Sequence, residues 1–272
     1  MRARAAAQRR SGAPAHRRAG GARVLVERSG GVATLTLNRP EKRNALDRRA
    51  IAELAAAIEA CDLAADVRVV AIRGAGRDFC AGADLADLLE SADLAPEERE
   101  RRAMELGEVF LALRALPKPT VAVVRGRALA GGCALATACD IVVAEAGAAL
   151  GYPEIERGLA PALVMAALRR AAGEKVAADL LLTGRVVGAA EAQRLGLVSR
   201  VLPARGFDPA VTKVLAALAG RSASALALTK QLLHGIDGVG FEDSVRRGAR
   251  VSAVARGTPE FRAGVAAFLE KR

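Results

Sequence analysis

The first regular pattern in the chain begins at residue 24, where VLVE (24–27) and VATLTL (32–37) flank the turn RSGG (28–31). Short runs of this kind, bounded by glycine and rich in β-branched residues, predict two strands of a hairpin. LNRPEKRNALD follows as a polar loop. Asp47 is placed to cap a helix running to about Cys61, with Ile51, Leu54, Ile58 and Cys61 at helical spacing. VRVVAIRG (67–74) and TVAVVRG (120–126) are continuous apolar runs ended by glycine, the pattern of strands buried on both faces. Between them, GRDFCAGADL predicts a loop entering a helix, and residues 97–115 predict a long helix that starts acidic and stops before Pro117. RALAGGCALATACD leads to a strand at IVVAE (141–145), then to the loop GYPEIERGLAP. From Ala162 the chain is mostly helical, with a break at GLVSRVLPARG (196–206). Strands alternating with helices predict an α/β core, and the helical last third predicts a layer packed on that core or on a neighbouring subunit. Neither an internal repeat nor a Gly/Ser-rich linker marks a second independent domain. The division expected is a tail at 1–22, a core at 23–200 and a helical region at 201–272.

Composition narrows the function classes. At 272 residues and 52% hydrophobic, the chain can bury one sizeable core. No apolar run approaches the ~20 residues of a membrane span. Trp is absent and Tyr occurs once, which disfavours single-strand nucleic-acid binding by base stacking. Cys61, Cys80, Cys133 and Cys139 have no CxxC spacing, and His16 and His234 are far apart, so no Cys/His metal site and no Ser-His-Asp or Cys-His mechanism is expected. Reduced thiols and a cytoplasmic location are the simplest reading. Six arginines and no acid in residues 1–22 account for over half of the formal +11 charge. Three readings of that segment stand: a tail outside the fold, an Arg-rich transit peptide, or a nucleic-acid arm.

Two segments share one design. CAGADL (80–85) and AGGCAL (130–135) each pass from a strand region through small residues into a helix. Small side chains let a ligand approach the backbone, and the first amides of a helix have no internal acceptor. Two such amides aimed at one point would hold a carbonyl oxygen that gains negative charge. Tight strand–helix packing would call for the same glycines. Neither segment is GxGxxG or GxxxxGK[ST], so phosphate cradling has little support. In YPEIERG (152–158), Glu154 sits among apolar neighbours, which raise a carboxyl's proton affinity toward the range useful in acid–base work.

Taken together, the segments NRPEKRNAL, FCAGADL, GRALAGGCALATACDI, GYPEIERGLAP and LLTGRVVGAAEAQRLGLVSRV, in that order, resemble the enoyl-CoA hydratase/isomerase (crotonase) superfamily from about Val24 to Arg272. The resemblance implies a crotonase-like α/β spiral of ββα units with a C-terminal helical trimerisation region, in a homotrimer or dimer of trimers. It implies an acyl-CoA substrate, coenzyme A being part of the substrate and not a separate cofactor. The amides of Ala83 and Gly131 match the family's oxyanion hole, and Glu154 matches a catalytic carboxylate. Arg43, Ala45, Ala81 and Leu85 match the part that holds the CoA nucleotide and pantetheine, with Gly82, Asp84, Leu129, Gly132, Ala134 and Pro153 lining the same segments. Lys271 and Arg272 lie where members often offer a basic group to CoA phosphates.

One position departs from the pattern. Hydratases of this family typically carry a second glutamate three residues after the oxyanion glycine, where this chain has Ala134. A double-bond shift needs only one base, so 3,2-enoyl-CoA isomerisation by Glu154 alone stands as an alternative to hydration with a single glutamate. A non-catalytic CoA- or RNA-binding member is a further alternative. Asp84, Asp87, Glu90 and Glu156 are the nearby acids, with Asp84 expected to shape its loop. Cys80 and Cys133 are expected to be small core residues, and Asp140 a buried structural aspartate that pairs with backbone amides.

Overall fold

The computed structural model describes residues 21–270. The tail to residue 20, with His16, and both Lys271 and Arg272 lie outside the described residues, as do the expectations placed on them.

The predicted hairpin is present as β1 (Val24–Ser29) and β2 (Val32–Leu37), paired antiparallel. β2 then pairs in parallel with β3 (Val69–Gly74), β3 with β4 (Thr120–Val124), β4 with β6 (Ile141–Glu145), and β6 with β9 (Arg200–Leu202). The continuous apolar runs have the predicted cause, because both faces of this six-stranded sheet are covered. Val70, Ile72, Ala122, Val124, Val142 and Ala144 point into the main core. Their neighbours Val69, Ala71, Val121, Val123 and Val143 point the other way. α1 (Arg48–Leu63) seals the first face with Leu54, Ile58 and Cys61, and Asp47 caps it by accepting from the Ala50 amide at 2.7 Å. The second face is covered by α7 (Phe207–Ala219) through Phe207, Val211 and Leu215.

β9 (Arg200–Leu202) crosses the expected division of the chain, and α7 forms part of the helical layer expected to pack on the core. The boundary placed after residue 200 falls inside β9, and the first helix beyond it completes the core. The helical stretch from Ala162 is also less continuous than its pattern predicts. α5 (Ala162–Thr183) is followed by β8 (Val186–Gly188) and α6 (Ala189–Arg194) before β9. Three residues are too few to show an alternation, so β8 left no periodic signal.

A second, three-stranded sheet positions the site. β5 (Arg127–Leu129) pairs in parallel with β7 (Ala149–Gly151), and β7 pairs antiparallel with β8. Two isolated bridges extend the stack, Leu46 with Ala83 and Cys80 with Ala128. The chain is thus a spiral, each turn leaving the large sheet and crossing a layer formed by residues near 46, 83, 129, 151 and 186. Helices close the turns: α2 (Leu85–Ser91) and α3 (Pro96–Ala115) lead to β4, and α4 (Gly131–Ala138) leads to β6.

α8 (Ala223–Gly235) is pinned to the core by polar contacts. Buried Lys230 donates to the Leu113 and Lys118 carbonyls at 2.8 and 3.0 Å and pairs with Asp140 at 2.8 Å. Asp140 also accepts from the Thr120 amide and hydroxyl at 2.7 and 2.8 Å, so its partners go beyond the backbone amides expected of it. His234 Nε2 lies 3.0 Å from Asp140 Oδ1, and Arg170 lies 3.0 Å from His234 Nδ1. Arginine can only donate, so Nδ1 accepts and Nε2–H donates, which is the neutral imidazole. Burial lowers the His234 pKa, with Arg114 and Arg170 acting the same way against Asp140. The unfolded imidazole therefore takes up a proton at a higher pH than the folded one, and stability falls as pH drops below about 6.5. His234→Gln is expected to flatten that acid-side loss in melting temperature measured from pH 7 to pH 5.

Candidate active site

Three successive turns of the spiral meet where the second sheet ends. On the first, which carries Ala83, the Asp84 amide donates at 2.9 Å to Leu46 of the preceding turn, and the Gly82 carbonyl accepts from the Leu46 amide at 2.8 Å. This parallel bridge uses the groups on either side of Ala83 and leaves the Ala83 N–H with no acceptor among the described residues. On the next turn, Leu129 and Ala130 donate to the Cys80 and Gly151 carbonyls at 2.9 and 2.8 Å, and α4 opens at Gly131. The Gly131 amide heads that helix, also without an acceptor among the described residues. A methyl built on Gly131 would stand 3.7 Å from the Ala83 nitrogen, so the two free amides are neighbours. The third turn brings β7 and then a 3-10 turn, Pro153–Arg157, that carries Glu154.

The glycines on these turns do different jobs. Gly82 has φ +98°, a conformation other residues rarely adopt, and a methyl there would lie 2.8 Å from the Ala130 Cβ. Gly132 serves packing: its Cα faces Cys80, whose carbonyl oxygen would be 2.4 Å from an added methyl. Ala130 takes φ 53° and ψ −129° to turn the chain from β5 into α4, a conformation suited to glycine. Such strain costs about 1–3 kcal/mol, which exceeds the entropic cost of glycine. Ala130→Gly is expected to stabilise the fold by about 1 kcal/mol in chemical denaturation, the reverse of the usual alanine-to-glycine effect.

Glu154 is half-buried, and its Oε2 is buried with no hydrogen-bond partner among the described residues. Burial raises its pKa above the ordinary carboxyl value, opposed by its own backbone amide and by Arg157. Beneath it, Tyr152 is fully buried, its hydroxyl 3.4 Å from Thr137 Oγ1 and beside the Cys133 thiol. Burial pushes the Cys80 and Cys133 thiols up to about 12, so both stay protonated, inert packing groups. Ala134, one turn into α4, is 0% exposed.

The remaining candidates fall around this centre. Asp84 caps α2 by accepting from the Ala86 amide at 3.1 Å, consistent with a loop-shaping role. Asp87 accepts from the Arg48 amide at 3.0 Å, and Glu90 and Glu156 are exposed. Arg43 is exposed at φ 52°, Ala45 and Ala81 are half-buried, and Leu85 is exposed at the start of α2. Leu129 ends β5, and Pro153 is buried at the start of the 3-10 turn. Among the described residues, no three His, Cys, Asp or Glu side chains gather as a metal site requires.

Two residues that shape this site lie in NRPEKRNAL but are not singled out individually by the sequence. Asn44, buried at φ 56°, donates to the Ala75 and Asp78 carbonyls at 2.9 and 2.8 Å and accepts from the Arg39 amide at 3.0 Å. Arg39 is buried between Asp47 and Asp84. Only the left-handed tolerance of asparagine next to NRP could have pointed to the first.

The enoyl-CoA hydratase/isomerase family model matches residues 27–272, nearly the whole chain. The chain belongs to that family. A Thermus thermophilus protein classed among the enoyl-CoA hydratases is 46% identical over 253 residues, covering 92% of this chain and 98% of its own. The crotonyl-CoA hydratase of Syntrophomonas wolfei is 36% identical, covering 92% and 95%. The crystal structure of an enoyl-CoA hydratase from Mycobacterium smegmatis superposes with a TM-score of 0.88 at 34% identity, covering 92% of this chain and 97% of that one. The fold is therefore the crotonase fold, and the protein is an enzyme of the hydratase/isomerase family.

Proposed function

We propose that this enzyme hydrates a 2-enoyl thioester of coenzyme A with one glutamate. The observation that carries the reading is a pair of amides, Ala83 and Gly131, with no acceptor among the described residues, on the two turns that precede the one carrying a carboxylate whose proton affinity burial has raised. The thioester oxygen accepts from both amides. Glu154 takes a proton from water as the water oxygen bonds to the β-carbon, and the π electrons move onto the thioester oxygen as an enolate. Glu154 then returns the proton to the α-carbon. One water is added, the enolate returns to a neutral thioester, and Glu154 ends as the carboxylate it began as. Amides held in place before the reaction stabilise the enolate at no cost in reorganisation.

A second reading is favoured by the alanine at 134. With one carboxylate, Glu154 would remove a proton from the α-carbon of a 3-enoyl thioester and return it to the γ-carbon, shifting the double bond. Purified enzyme offered crotonyl-CoA and a 3-enoyl-CoA separates the two. Loss of conjugated-thioester absorbance from the first is the outcome expected. Appearance of that absorbance from the second, without hydration of the first, would establish the isomerase reading.

In this proposal Arg43, Ala45, Ala81 and Leu85, with Lys271, contact the CoA portion, and no separate cofactor takes part. We also propose a homotrimer or dimer of trimers. α9 (Phe241–Arg256) buries none of its residues within the chain, and with α10 (Pro259–Leu269) it leaves Phe241, Val245, Val254, Phe261 and Val265 exposed, which supports burial against another copy. A cytoplasmic location is supported by four free, buried cysteines.

A further inference from the structure

We propose that Arg39 is a positioning residue that aims the Ala83 amide at the thioester oxygen; this rests on the oxyanion-hole reading above. The Ala83 N–H owes its direction to one short bridge, in which Leu46 holds the Gly82 carbonyl and the Asp84 amide. Arg39 clamps both sides of that bridge. On the strip carrying Leu46, its Nη1 donates to the Ala45 carbonyl at 2.7 Å and lies 3.3 Å from Asp47. On the strip carrying Ala83, its Nη2 pairs with Asp84 Oδ2 at 2.9 Å.

The clamp is itself held. The Arg39 amide donates to buried Asn44, and its side chain is 9% exposed against 14% for each carboxylate. Asp84 uses its other oxygen to cap α2 at Ala86, so the same carboxylate sets where the loop ends and where the helix begins. Burial alone would raise the Asp84 pKa, but the Ala86 amide and Arg39 hold it below the ordinary value, so the charged pair persists.

A planar fork reaches the Ala45 carbonyl and Asp84 from different nitrogens. A lysine ammonium is a point charge and cannot span both in the same geometry. Arg39→Lys should therefore keep the charge between the two aspartates while letting the bridge shift. A misplacement of order 1 Å can cost about 100-fold in rate.

The test uses the full-length enzyme, Arg39→Lys, and Asp84→Asn as a second variant that keeps the Ala86 cap but weakens the clamp. The infrared carbonyl stretch of 13C-labelled butyryl-CoA, a saturated thioester that cannot be hydrated, is read free and bound, alongside kcat and KM for crotonyl-CoA. In wild type the stretch should move to lower frequency on binding. Both variants should lose a large part of that movement. Arg39→Lys should lose about 100-fold in kcat with KM changed less than about threefold, an effect expected only in the transition state. If the variants bind with the full wild-type shift, and kcat falls only with the folded fraction, the role of Arg39 is overturned while the oxyanion hole stands. If wild type itself shows no shift, the oxyanion reading fails and the inference fails with it.

Discussion

Glu154→Gln is expected to lower kcat/KM by about 10³-fold while leaving the enzyme folded and more stable at neutral pH. The rate loss follows from removing the proposed proton carrier, since general acid–base assistance contributes about 10² to 10⁴. The gain in stability follows from the same burial. The Glu154 carboxyl is held above its ordinary 4.5 in the folded state, so between 4.5 and the raised value the folded chain keeps a proton that the unfolded chain has lost. Stability therefore falls as pH rises through that window, and above it the folded state bears an ionised carboxylate whose buried Oε2 has no hydrogen-bond partner among the described residues. A neutral amide of the same shape removes that penalty. In wild type, kcat/KM should fall on the acid side along a limb lying above pH 4.5, because the base must be ionised. The limb should vanish from the residual activity of the variant. A residue that merely supported the 3-10 turn would lose stability and activity together. Full activity in Glu154→Gln would show that another group moves the proton.

The second large effect is expected from Ala134→Glu, which should raise the hydration rate by about 100-fold relative to double-bond isomerisation. Two carboxylates would divide the work that the proposed mechanism gives to Glu154 alone, one taking the proton from water and the other supplying one to carbon. Ala134 is fully enclosed and follows Cys133, whose thiol feels the charge of Glu154, so the new carboxyl would stand in the protein interior within electrostatic reach of Glu154. Like charges in such a place cannot both ionise easily, and the pair would share a proton near neutral pH. One member is then an acid and the other a base, which is the division that hydration needs. The cost is a lower melting temperature, because an extra polar group is buried without a dedicated partner. The two-substrate assay reads the ratio directly. An unchanged ratio would show that a single carboxylate does not limit hydration here.

Much of the frame was legible in the residues. The apolar runs at 69–74 and 120–124 announce strands covered on both faces, and Asp47 announces the start of α1 with a specific hydrogen bond. The small-residue segments at 80–85 and 130–135 showed where bare backbone would be offered, and the apolar setting of Glu154 showed which carboxyl would hold its proton tightly. The second sheet was not legible. Its strands are three residues long, too short for any period to register, and they pair residues from turns about twenty or more apart.

The electrostatics of the site were hidden for a different reason. An arginine beside a proline reads as a surface charge, yet Arg39 is enclosed by Asp47 and Asp84, which are 8 and 45 positions away. His234 and Lys230 likewise meet Asp140 only because α8 folds back across the start of β6. Local sequence determined which segments become strands, caps and glycine turns, because those depend on spacing, backbone freedom and hydrogen bonds to near neighbours. It also determined which chemistry could be offered: two bare amides, one carboxyl and an alanine in the place of another. Whether those groups converge was decided by the stacking of spiral turns. Packing alone brings the Ala83 and Gly131 amides side by side, encloses the Arg39–Asp84 ion pair next to Ala83, and half-buries Glu154.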